Sequence, residues 1–170
     1  MNESIAVWEK RLAAYHLPRW DELPDMELYM DQVTGQLDKY LTVLCTPDCT
    51  HFITASMINN YVKLHLVPAP IKKRYNRTHL AYLVIVCLLK QVLSIPEIKQ
   101  LLELQMQNTC VQDAYDAFCS AQEHAFADIC TRALAQSAAL DATTLAVQLA
   151  VQAAACKSLT QKIFCKPDEV

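Results

Sequence analysis

Ser56, Asn59, Asn60 and Lys63 recur at i, i+3, i+4 and i+7, a spacing that gathers them on one face of an α-helix. Ile58, Tyr61 and Val62 fall on the opposite face. Asparagine can bond bidentately to adenine, serine can reach a base or a phosphate, and lysine can reach guanine or phosphate. Any solvated helix shows a similar polar stripe, so the neighbouring segment gives this one its weight. Lys72-Lys73-Arg74-Tyr75-Asn76-Arg77 places four cations in six residues around a tyrosine that can bond a phosphate oxygen or pack on a sugar. The bland reading of that cluster is a solvated hairpin tip. Against it, no Asp or Glu occurs between Cys49 and Pro96, a stretch with a formal charge of +6, which leaves −9 for the rest of the chain. The segment is suited to an anion.

Other residues with chemical potential form weaker patterns. Cys45, Cys49 and His51 give a Cys-x3-Cys-x-His cluster whose thiolates and imidazole suit zinc or copper. They remain metal candidates only, because no fourth ligand is evident, and no cofactor is expected. Cys110, Cys119, Cys130, Cys156 and Cys165 could sense metal or oxidant, but thiols on Ala-rich helices more often pack. Asp21, Glu22 and Asp25 read as helix-start acids, and no nucleophile has a patterned base beside it. The chain is not expected to be an enzyme.

The elements that must position these residues follow from periodicity. A helix is predicted over about Ile5 to Tyr15, then a break between Pro18 and Pro24. Met26, Met30, Val33, Leu37, Tyr40 and Leu44 predict a second helix, with Asp25, Glu27 and Asp31 in its first turns. A loop spans Thr42 to Phe52. Thr54 is the predicted N-cap of a short helix to about His65, which Val67-Pro68-Ala69-Pro70 ends. IKKRYNR reads as an exposed strand or loop. The next helix, Thr78 to Leu93, is apolar on almost every face and should lie at the centre of the core. Ser94-Ile95-Pro96-Glu97 is a capping-box start for a helix through Gln107.

Beyond Asn108 come fifteen alanines between Ala114 and Ala155. Two long helices are predicted there, packed as an antiparallel hairpin. The first spaces Val111, Tyr115, Phe118, Phe126, Ile129 and Ala133 on one side. The second, capped by Asp141, spaces Leu145, Leu149, Cys156, Leu159 and Ile163 at near-heptad intervals.

The whole chain has 170 residues, 53% hydrophobic and 19% charged, with mean hydropathy +0.11. That composition excludes intrinsic disorder. Its one glycine, Gly35, excludes Gly-rich dinucleotide and phosphate loops. The expected fold class is all-α, divided into residues 1–107 and a C-terminal helical hairpin, 108–170. No secretory signal is evident at the N-terminus. The longest uncharged apolar run, Leu80 to Leu89, covers ten residues where a membrane span needs about 20. Reduced thiols, a cytoplasmic location and no membrane association are expected.

The stretch ITASMINNYVKLHLVPAPIKKRYNRTHLAYLVIVCLLKQVLSIPEIKQLL resembles the winged helix-turn-helix of MerR-type transcription regulators, in which a recognition helix leads through a proline turn into a basic wing. RWDELPDMELYMDQV, ITASMINNYV and KKRYNRTHLAYL together are similar to an uncharacterised bacterial family, the domain of unknown function 1836, over about Leu17 to Leu104. The MerR likeness implies that Thr54 starts the recognition helix and that Asn59, Asn60 and Lys63 face DNA. It makes Lys72, Lys73, Arg74 and Arg77 the wing, and the residue chemistry adds Ser56 to the helix face and Tyr75 to the wing. This chain departs from the pattern in its longer loop from Thr42 to Phe52, its wing without Gly-Tyr-Arg, and His65 where a helix-ending glycine is usual. The expected function is that of a sequence-specific, MerR-like bacterial transcription regulator acting on double-stranded DNA as a homodimer joined through the C-terminal hairpin. The alternative is a non-enzymatic protein-interaction module whose basic wing binds an acidic partner.

Overall fold

The computed structural model describes residues 7, 10, 12, 14–45, 51–107, 109–137 and 141–164. Six α-helices are described: α1 (Met30–Leu41), α2 (Ala55–Lys63), α3 (Arg77–Leu89), α4 (Ile95–Met106), α5 (Val111–Ser137) and α6 (Ala142–Phe164). Single 3-10 turns occupy Trp20–Glu22 and Thr42–Leu44. Among the described residues the only extended pairings are two isolated bridges, Leu28 with Tyr75 and Ile71 with Arg74. The protein is all-α, as its composition requires. Most of the predicted N-terminal helix lies outside the described residues, although residues 7, 10 and 12 are helical.

The chain divides into two compact units, His16–Gln122 and Met1–Tyr15 with Glu123–Val170. The division falls within α5, whereas the sequence places it at residue 107. In the unit His16–Gln122, α3 is the central element: nine consecutive or near-consecutive residues from His79 to Leu88 are buried. A helix with no polar stripe must be covered on every side. The helix α1 covers it with Val33, Leu37 and Leu41, and α2 contributes Ile58 and Tyr61. Ile98 and Leu102 supply the buried stripe of α4. The start of α5 belongs to this unit. Its buried Tyr115 donates its phenol to the Pro18 carbonyl at 2.8 Å, and Asp116 accepts the Trp20 amide at 2.8 Å. Burial pushes the Tyr115 phenol far above its ordinary range.

The caps behave as their residue types dictate. Thr54 Oγ1 accepts the Met57 amide at 3.3 Å at the head of α2. Glu97 accepts the Ser94 amide at 2.6 Å, which closes the predicted capping box of α4. Asp141 Oδ1 accepts the amides of Thr143 and Thr144 at the head of α6. The Thr144 hydroxyl adds a further bond, and these bonds hold the Asp141 carboxyl below its ordinary value.

Two expectations need correction. The second helix begins at Met30, not at Met26. Leu28 is pulled into extended geometry because it exchanges both backbone hydrogen bonds with Tyr75, at 2.8 and 2.9 Å. Met26 is consequently 68% exposed and has no place on the apolar face, and only Asp31 remains in the first turn. The cysteines also divide. Cys87, Cys119 and Cys130 are buried, but Cys110 and Cys156 are exposed. Burial pushes the Cys87 thiol up to about 12.

In the other unit Tyr15 meets Phe126 edge to face at 5.6 Å, and Cys130 and Leu145 are buried. The predicted stripes shift here. Ile129 is 39% exposed, while on α6 Leu149 is half-buried and Cys156, Leu159 and Ile163 are exposed. No described helix is long and apolar enough to cross a membrane.

Candidate nucleic-acid interface

The helix α2 presents two chemically distinct faces. Ile58 and Tyr61 enter the core, and Ser56, Met57, Asn59, Asn60 and Lys63 line an open cleft of about 430 Å³ on the outside. None of Ser56, Asn59, Asn60 and Lys63 has a side-chain partner in the protein among the described residues, so their donors and acceptors face solvent. The helix ends in a Schellman turn: the His65 amide donates to Val62 O at 3.1 Å and the Leu66 amide to Tyr61 O at 3.0 Å. His65 adopts φ 57° to close it, in the position where glycine is easiest. Leu66 and Tyr61, the pair whose apolar contact usually accompanies this turn, are both buried.

The proline turn then delivers the chain to a short hairpin. The Arg74 amide donates to Ile71 O at 2.9 Å, and the two residues between them, Lys72 and Lys73, take φ 50° and 63°. Two positive φ values at the centre are what a type I′ hairpin turn demands, and asparagine and glycine normally meet that demand. Here two exposed lysines do, which concentrates both charges at the tip at a conformational cost.

The four cations of the cluster are not equivalent. Lys72 and Lys73 stand in solvent with no anionic partner among the described residues. Arg74 lies 3.8 Å from the Glu27 carboxylate and 5.0 Å from the centroid of the Tyr29 ring. Arg77 lies 3.3 Å from Asp25 and 3.7 Å from Asp21, with its guanidinium 5.8 Å from the Trp20 ring. Its Nε is buried without a hydrogen-bond partner. Tyr75 is buried at 3% exposure, and burial raises its phenol. Sequence reasoning missed Glu27, Tyr29 and His79. The first two were absorbed into a predicted helix, and nothing local reveals that Leu28 pairs with Tyr75 and brings them to the basic hairpin.

The metal candidates are only partly placed. His51 is 2.9 Å from Asp38, Cys45 is half-buried, and Cys49 lies outside the described residues. Cys165 does too. Among the described residues no group of three or more His, Cys, Asp or Glu is arranged to hold a metal ion.

What fold and surface define together is a mainly helical protein whose core displays a polar helix face and a two-lysine turn. The chain belongs to the family described as Domain of unknown function (DUF1836), whose model matches residues 18–118. That span nearly coincides with the compact unit His16–Gln122, including the turns of α5 that clasp Pro18 and Trp20. No curated protein and no solved structure matches the chain.

Proposed function

We propose that this protein is a sequence-specific DNA-binding transcription regulator with a MerR-like winged helix-turn-helix, in which α2 reads the major groove and the Ile71–Arg74 turn grips phosphate. The observation that carries the reading is the outward face of α2, where Ser56, Asn59, Asn60 and Lys63 are exposed together without internal partners. The order of elements supports it: a short capped helix, a proline turn, a basic hairpin paired to an upstream segment, and a buried helix. Lys72 and Lys73 supply the backbone grip, because their charges are uncompensated. Arg74 and Arg77 lean on carboxylates and contribute less to phosphate binding than the sequence alone implies. Two such units, joined as a homodimer through the C-terminal helices, would meet two half-sites. No cofactor and no catalytic step enters this reading, and the protein would act in the cytoplasm.

Selection of binding sites from random duplexes, followed by titration of the selected site, tests it. Asn59→Ala and Asn60→Ala should each lose about 1–3 kcal/mol on the selected site and much less on random DNA. Equal losses on both would make these side chains positioning groups. No binding to any duplex, with retention of an acidic polypeptide, would favour the protein-interaction module instead.

A further inference from the structure

His79, 4% exposed, is the only buried polar or charged residue among the described residues. Its ring reaches both ends of the wing. Nε2 lies 3.3 Å from the Ala69 carbonyl, in the turn that leads in, and Nδ1 lies 3.1 Å from the Asn76 amide, where the wing leads out. Nδ1 also lies 2.6 Å from Asn76 Oδ1. That oxygen accepts the His79 amide at 3.3 Å as the N-cap of α3, which fixes how the Asn76 side chain points. Between these contacts the ring packs edge-on against Tyr75, with centroids 5.4 Å apart.

Nδ1 has one in-plane position, which holds either a lone pair or a proton. With a lone pair it accepts the Asn76 amide but stands 2.6 Å from the Asn76 Oδ1 acceptor, a repulsion that a proton on Nδ1 turns into a bond. With a proton it donates to Asn76 Oδ1, and the Asn76 amide then faces another N–H. Nε2 donates to Ala69 in both states. We propose that His79 is the positioning residue of the wing: neutral, it clasps both ends through backbone groups, and protonation exchanges the Asn76 backbone bond for a side-chain bond and loosens the hairpin. The titratable group facing the ring from the wing is the Tyr75 phenol. The proline turn Val67–Pro70 carries none, and on α3 the charged neighbour, Arg77, is held by Asp25 and Asp21.

The claim about wing order stands without the DNA reading, and only its consequence for binding rests on that proposal. The test uses the full-length chain free of DNA, scanned over about pH 5 to 8, where imidazoles change charge. Nitrogen chemical shifts of the His79 ring report its tautomer, and amide exchange of Leu28, Arg74 and Tyr75 reports closure of the wing. The expected result is an Nε2–H tautomer at high pH and a fall of about tenfold in the three protection factors, corrected for intrinsic exchange, as the ring protonates. His79→Gln should make the protection independent of pH. An Nδ1–H tautomer at high pH, protection that ignores the titration of the ring, or an inflection that survives His79→Gln would overturn the proposal. The ring measurement needs no variant, so the test survives if His79→Gln fails to fold. With DNA present, binding that depends on Lys72 should follow the same titration. If wing protection titrates but no duplex binds, the latch stands and the DNA reading fails.

Discussion

Two residues show how local conformation trades against stability. His65 holds a left-handed φ of 57° at the end of α2, whereas Gly35 sits inside α1 with a helical φ and open space where a Cβ would be. Each is the wrong way round for stability. His65→Gly should stabilise the protein by about 1 kcal/mol, because the left-handed penalty vanishes. Gly35→Ala should gain a similar amount, about 0.5–1 kcal/mol, from helix propensity and a less flexible unfolded chain. Urea melts of both variants check this. Destabilisation by either would mean that its side-chain environment, not its backbone, decides. The thiols give a second residue-scale prediction. Cys110 and Cys156 should alkylate within minutes under native conditions, while buried Cys87, with its thiol raised to about 12, Cys119 and Cys130 should react only as the protein opens. Mass spectrometry of a labelling time course reads the order directly. The left-handed state of His65 was legible only through the resemblance, as a missing glycine, since a sequence prints no φ.

At the scale of elements, legibility follows the range of the interactions that make each one. The start of α4 could be read from Ser94 and Glu97 because capping is complete within four residues. The position of α3 could be read because ten successive apolar residues allow nowhere but the core. The start of α1 could not, since Met26 continues the period and the force that unwinds the chain there comes from Tyr75, 47 residues on from Leu28. The candidate site divides in the same way. The polar face of α2 is local periodicity, but the partition of the basic cluster depends on Asp21, Asp25 and Glu27 from far upstream. That partition has a measurable consequence. If Lys72 and Lys73 carry the phosphate contacts, Lys72→Ala with Lys73→Ala should flatten the log–log salt dependence of duplex binding by about two. Arg74→Ala should change it by less than about one, since its charge is already offset by Glu27. Arg77→Ala should instead lower stability, because it strands the contacts that join Trp20 to α3. A slope indifferent to the two lysines would remove the hairpin from the interface.

For the whole molecule, the question is what covers α6. Among the described residues of this 23-residue helix only Leu145 is buried. Val147, Val151, Leu159 and Ile163, at multiples of four residues, are 57%, 64%, 64% and 74% exposed. The sequence drew its stripe through Leu149 and Leu159, and the structure separates the two: Leu149 turns partly inward and Leu159 outward. Near-heptad spacing identifies an apolar helix but not which of two apolar sides meets its own fold, because alanine fills the places between and marks neither. The proposed dimer therefore uses Val151 and Leu159 as its seam. An isologous contact would bury both residues of each copy, so Val151→Glu with Leu159→Glu places four carboxylates in one apolar interface. Burying unpaired charge costs several kcal/mol, which is enough to dissociate a dimer of ordinary affinity. Both positions are exposed in the single chain, so each copy should keep its helical circular dichroism. Sedimentation should then show a dimer for the wild type and a monomer for the variant. On DNA with two half-sites about one turn apart, the variant should lose tight binding and keep weak, salt-sensitive binding. A variant that remains dimeric places the seam elsewhere. A wild type that is monomeric at micromolar concentration would leave each proposed DNA-binding unit to act alone.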